Sequence, residues 1–144
     1  MTRIKDGDVL RVFGEEWKID RAVIGGAPEF LDRRVRDKIK RRFMAAAREI
    51  MRTLPAELRP RKVAVKDTRS RWGSCSASGA VSLSWRLAFA PPEVMRYVVI
   101  HECCHLTEMN HSFRFWALVG RNYGAGYKSA NRWLAKEGRK LFAY

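Results

Sequence analysis

With 144 residues, 47% of them apolar, the chain can bury the core of one compact domain but hardly of two, so residues 1–144 are read as a single domain. Apolar runs such as residues 97–100 are far too short to span a bilayer, and no apolar stretch follows the charged N-terminus as a secretory signal would require. Three cysteines (Cys75, Cys103 and Cys104) make a poor disulfide framework and suit a cytoplasmic location, while a formal charge of +14 favours anionic partners without choosing among them.

Residues 8–24 read as a β-hairpin, with Val9, Leu10, Val12 and Phe13 leading into Gly14-Glu15, and Trp17, Ile19 and Val23 following in rough alternation. From position 28 to 54 the period becomes helical. Leu31, Val35, Ile39, Phe43, Ala47, Ile50 and Met51 recur every three or four places, between Pro28 and Pro55. The outer face of this helix carries Arg33, Arg34, Arg36, Lys38, Lys40, Arg41 and Arg42 against Asp37 alone. A solvated helix face is the plainer reading. The sharper one is contact with nucleic-acid phosphates through Arg33, Arg34, Lys38, Arg41 and Arg42.

A core region, 60–120, follows. Val63 and Val65 suggest a short strand, residues 67–78 a polar loop, and Val81, Leu83, Trp85 and Leu87 alternate with Ser82, Ser84 and Arg86 as the clearest strand of the chain. Pro91-Pro92 then opens a helix that runs through Val94, Val98, Val99 and Ile100 into a group of histidines. Further helices are expected over residues 112–120 and 127–142.

All three histidines of the chain lie between positions 101 and 111, and His101-Glu102-Cys103-Cys104-His105 is an H-E-x-x-H arrangement. On a helix, residues four apart differ by roughly 40° in azimuth and one turn in height, so both imidazoles face one point and can hold one metal ion. Neutral imidazoles suit zinc, one ion per chain, and Glu102 is placed to take a proton from a metal-bound water. His111 would lie about 9 Å further along a continuous helix, so it joins them only if the chain turns. A break at Met109-Asn110 allows that, because Asn110 tolerates the left-handed conformation and Ser112 can cap a new helix. Glu108 is the rival third ligand, should the helix continue. The azimuths of Cys103 and Cys104 point to packing rather than ligation.

Taken together, Arg71-Trp72-Gly73-Ser74-Cys75, Leu83-Ser84-Trp85-Arg86-Leu87, Pro91, Tyr97-Val98-Val99-Ile100-His101-Glu102, Asn110-His111-Ser112 and Phe115-Trp116 closely resemble the YgjP-like metallopeptidases, a group related in style to the SprT-like and WLM proteases. The resemblance is strong over residues 60–120. It implies an α+β, zincin-like fold in which a small mixed or antiparallel sheet packs on helices beside the metal-binding helix. It also implies His101, His105 and His111 as zinc ligands and Glu102 as the general base. Arg71, Trp72 and Ser74 fall in a signature expected near the cleft. The chain departs from the family in opening at the hairpin without preceding β-structure, and in carrying Tyr123-Gly124-Ala125-Gly126-Tyr127-Lys128 where a proline and an acidic residue are usual.

Three functions are therefore carried forward. The first is a zinc peptidase acting on peptides or proteins, with Val81–Leu87 as an edge strand that aligns substrate, and with Arg71, Arg86, Tyr123 or Tyr127 assisting at the oxyanion. A second is hydrolysis of nucleoside triphosphates such as UTP to pyrophosphate, for which the family has precedent, with Arg69, Arg71 and Arg86 on the phosphates. The third is a nucleic-acid-associated module, or a protease linked to DNA, acting through the basic helix.

Overall fold

The computed structural model describes residues 2–144. Strands β1 (Val9–Val12) and β2 (Glu15–Lys18) pair antiparallel around Phe13 and Gly14, both at positive φ (52° and 79°), the conformation that a two-residue hairpin turn demands. The hairpin ends sooner than its alternation suggested. Asp20 accepts a hydrogen bond from the Ala22 amide and starts a short helix, α1 (Arg21–Ile24), leaving Val23 exposed.

Helix α2 (Leu31–Arg52) buries Leu31, Val35, Ile39, Phe43, Ala47 and Met51, one residue per turn. Its basic face divides in two. The cationic ends of Arg36 and Lys40 sit over the Trp85 ring, 5.6 and 5.4 Å from its centre, and Arg36 also bonds Asp32, so both belong to the packing. Arg33, Arg34, Lys38 and Arg41 stay exposed and line a groove of about 480 Å³ with Phe30 at its side. Arg42, also exposed, rests on the Phe13 ring.

Strands β3 (Lys62–Lys66), β4 (Gly73–Cys75) and β5 (Ala80–Ser84) form a mixed sheet in the order β3-β5-β4, with β3 parallel and β4 antiparallel to β5. The strand expected over residues 81–87 stops at Ser84, whose hydroxyl accepts from the Arg86 amide and caps a 3-10 turn, Trp85–Phe89. Trp85 and Leu87 are fully buried all the same, so their alternation reported burial rather than strand. Because β5 is paired on both sides, it has no free edge for a substrate. The outer strands of the sheet are β3 and β4.

Helix α3 (Pro92–Cys104) touches α2, β4 and β5, as well as α4 (Phe113–Tyr123) and α5 (Tyr127–Glu137). Buried on nearly every side, it reads as a continuous apolar run, with Val94, Val98, Val99, Ile100, Cys103 and Cys104 all in the core. Each such large aliphatic side chain contributes roughly 1.5–3 kcal/mol by leaving water, which makes α3 a rigid platform for what it carries. The result is a mixed α+β architecture with small sheets packed on helices. Among the described residues no helix is long and apolar enough to cross a membrane.

Candidate metal centre

Helix α3 carries His101 and Glu102 on its last turn and ends in His105, which caps it. The helix stops well before Met109-Asn110, where a break was expected. Its termination is explained by His105 itself. Backbone turns follow at Leu106, Thr107 and Glu108, and the Glu108 carbonyl accepts a hydrogen bond from His105 Nδ1 at 2.9 Å, curling the chain around the ring. That curl returns His111 to the end of the helix. Its Nε2 lies 3.1 Å from His105 Nε2 and 3.3 Å from His101 Nε2. Glu108 thus meets His105 through its backbone, and its carboxylate is not part of the three-histidine cluster.

The tautomers follow from the partners. A carbonyl can only accept, so His105 carries its proton on Nδ1 and leaves Nε2 bare. Tyr97 donates its single hydroxyl proton to Asn131 Oδ1 at 3.2 Å. Its oxygen, 3.2 Å from His101 Nδ1, must then accept from that nitrogen, which frees His101 Nε2 as well. Two lone pairs consequently face the third histidine across about 3 Å; a proton on His111 Nε2 can satisfy only one of them at a time, whereas a cation between the rings satisfies all three nitrogens. Tetrahedral zinc at roughly 2.0–2.1 Å from each nitrogen sets its ligands about 3.3 Å apart, which the observed spacing fits. Burial and the neighbouring His105 and His111 push the His101 pKa down to about 4, so its ring is neutral at physiological pH. Burial lowers His105 too, against the pull of the Glu108 carbonyl.

The cluster sits in an aromatic cage. Phe115 stacks on His105 at 4.3 Å between centroids, and Trp116 stacks on His111 at 5.8 Å. One side is open, since His111 is exposed while His105 is buried.

Glu102 is 8% exposed and faces the sheet rather than solvent. Burial raises its carboxyl to about 7, and the exposed Arg71 opposes that rise. A Cβ built on Gly73 would lie 2.7 Å from Glu102 Cγ, so β4 can pass this close only because position 73 has no side chain. The Arg71-Trp72-Gly73-Ser74 segment thereby acquires its physical sense. Gly73 makes room for the carboxylate and Arg71 supplies it with positive potential. Trp72 packs on Phe142 at 5.0 Å, and half-buried Ser74 pairs with Ser82. Gly73 was missed as a site residue, because only the fold brings positions 73 and 102 together.

Arg86 stands elsewhere. It is fully buried, bonds Asp67, and lies over the Trp85 and Phe142 rings, so neither substrate nor phosphate can reach it. The Tyr123 hydroxyl is occupied by the Glu93 carbonyl at 2.9 Å, which removes it as an oxyanion donor. Cys103 and Cys104 are buried, and burial raises both thiols to about 12, so neither supplies a thiolate. Burial and the charge of Glu102 also raise Cys75.

Outside the histidines, helices α4 and α5 border an open cavity of about 780 Å³ whose walls include Trp116, Gly120 and Tyr127, with Trp116 and Tyr127 stacked at 5.8 Å.

The family match gives the class, a metallopeptidase-type hydrolase. The crystal structure of the metallopeptidase zymogen of Pyrococcus abyssi abylysin matches with a TM-score of 0.50 at 23% identity, covering 68% of this chain and 94% of that one. At that identity the likeness speaks to the fold. The YgjP-like metallopeptidase domain matches residues 9–137, and the chain belongs to the YgjP-like family. No curated protein matches it.

Proposed function

We propose that this chain is a zinc-dependent, zincin-like peptidase with His101, His105 and His111 as ligands and Glu102 as general base. The observation that carries the reading is the convergence of three imidazole Nε2 atoms, two of them fixed bare by hydrogen bonds to Nδ1, beside a buried carboxylate. Zinc held there would supply a Lewis acid for the scissile carbonyl and make a water nucleophilic near neutral pH. With the metal bound, Glu102 would be the group that accepts a proton from the attacking water and passes it to the departing amine. Arg71 steadies the anionic form of Glu102. The free edge of β4 runs past Glu102 and offers backbone groups to an extended peptide, which a nucleotide would not use.

Hydrolysis of a nucleoside triphosphate at the same centre loses one of its three phosphate-binding arginines, since Arg86 is sealed in the core while Arg69 and Arg71 are exposed. One specific observation favours a nucleic acid as partner. Arg33, Arg34, Lys38 and Arg41 share a groove with Phe30 in which Asp37 is the one acidic group, leaving a net cationic track beside an aromatic ring. Free cysteines, two of them buried, accord with a cytoplasmic setting.

Elemental analysis of protein purified without chelator should return one zinc per chain, and His101→Ala and His105→Ala should lose it. Glu102→Gln should keep the zinc and lose roughly 10²–10⁴ in turnover of an unfolded protein. Absence of stoichiometric metal, or full activity of Glu102→Gln, would overturn the reading.

A further inference from the structure

We propose that the cavity between α4 and α5 is a substrate subsite that takes a large apolar side chain next to the scissile bond, together with a carboxylate adjoining that residue. The inference rests on the peptidase reading and extends it to substrate choice. Three features of the cavity carry it.

The first is position. Trp116 lines the cavity and also stacks on His111 at 5.8 Å, while Tyr127, another lining residue, stacks on Trp116 at 5.8 Å. Asn131, also in the lining, is the residue that accepts the Tyr97 hydroxyl and so orients His101. A group in this cavity would therefore sit one ring away from the histidines.

The second is surface chemistry. Trp116, Ala117, Gly120 and Tyr127 provide apolar walls, and Gly120 keeps the floor clear, since a Cβ there would touch the Tyr127 ring at 3.4 Å. About 780 Å³ falls in the range of ligand sites, roughly 300–1,000 Å³, and has room for more than one side chain.

The third is charge. Lys128 and Arg132 are both exposed at the rim, and the lining contains no carboxylate to answer them. A ligand that fills the apolar floor and brings an anion to that rim satisfies both halves of the site. The anion is either the side chain of a neighbouring acidic residue or a free chain terminus.

Ligand-observed NMR on the zinc-loaded protein separates these sources, using N-acetyl-phenylalanine, N-acetyl-Phe-Glu-amide and the neutral N-acetyl-Phe-Gln-amide. At least one of the two anionic ligands should bind about three- to tenfold tighter than the neutral one, as rim ion pairs of this exposure allow. Whichever anionic ligand holds the advantage identifies the terminus or the side chain as the source. Lys128→Gln combined with Arg132→Gln should abolish the advantage. Gly120→Leu should weaken all three ligands, and its place in a helix favours folding, because leucine is a far better helix former than glycine. Should that variant unfold, Ala117→Leu obstructs the cavity from an exposed position.

Equal binding of all three ligands, or indifference to both obstructing variants, would overturn the proposal. Binding requires no turnover, so the two readings fail separately. Ligands that bind as expected to a chain that cleaves nothing would sink the peptidase and leave a ligand site for an apolar group with an adjoining carboxylate, without its place beside a scissile bond. Cleavage that ignores the obstructing variants would do the reverse.

Discussion

Replacing Gly73 with alanine should cripple catalysis while sparing both the fold and the metal. A methyl group at position 73 would lie 2.7 Å from Glu102 Cγ, 3.0 Å from Oε2 and 3.1 Å from Cδ. Carbon atoms rest at about 3.5–4.0 Å, so the Glu102 side chain must retreat by about 1 Å. Its stem can do so by leaving its rotamer, at a cost of about 0.5–1.5 kcal/mol. Alanine in place of glycine in a strand returns about 0.5–1 kcal/mol, so the melting temperature should hardly move. A catalytic group displaced by 1 Å loses on the order of 10²-fold in rate, and kcat/KM should fall by that factor. The assay is peptide cleavage, with bound zinc and thermal unfolding measured on the same preparation. Glu102→Gln provides the control. Where the base is already gone, the added methyl should cost less than about threefold, because losses routed through one group do not multiply. Activity within about twofold of the parent in Gly73→Ala, or losses that multiply in the double variant, would refute a role acting through Glu102.

Two further predictions rest on hydrogen bonds and charge. Tyr97→Phe removes the acceptor that fixes the His101 tautomer, and zinc affinity should drop about 10- to 100-fold, read by competition with a chelator. An unchanged affinity would show that His101 is held by packing alone. Asp67→Asn leaves the buried Arg86 guanidinium without its carboxylate partner. One-sided removal from a buried pair typically costs about 3–5 kcal/mol, but the Asp67 side chain is 51% exposed and water can partly replace it, so about 1–2 kcal/mol is expected. Partial burial pushes the Asp67 pKa up, but the hydrogen bond and charge of Arg86, aided by Lys40, outweigh it and hold the carboxyl below its usual 3.8. A carboxyl with a depressed folded pKa stabilises the protein above its unfolded value and loses that contribution as pH falls through the folded one. Denaturant titrations should therefore show Asp67→Asn weaker at neutral pH, with the gap to the parent closing below about pH 4. A constant gap across the acid range would refute the pairing.

How much of this centre was legible beforehand depended on how far apart its parts lie in the chain. His101 and His105 are four residues apart on one helix, so local geometry alone pointed both rings at one place. The return of His111 called for a turn, and its position was misjudged at Met109-Asn110. What ends the helix is a side chain bonding forward to a carbonyl, His105 to Glu108, and neither Pro, Gly nor a capping residue announces it. Residue type misled where a neighbour changed its meaning. Arg86, read as a phosphate or oxyanion ligand, is neutralised by Asp67 and stacked on Trp85. Val81–Leu87, read as an edge strand, is strand only as far as Ser84, and that strand has β3 and β4 on its flanks. The parts that only tertiary structure could reveal are those where two segments close on each other. Gly73 matters because β4 passes over Glu102, and the cavity at Gly120 exists because α4 and α5 meet around Trp116 and Tyr127. Donor chemistry is thus written locally, in spacing along one helix. Which donors remain free, and what they can reach, is decided by contacts between residues tens of positions apart.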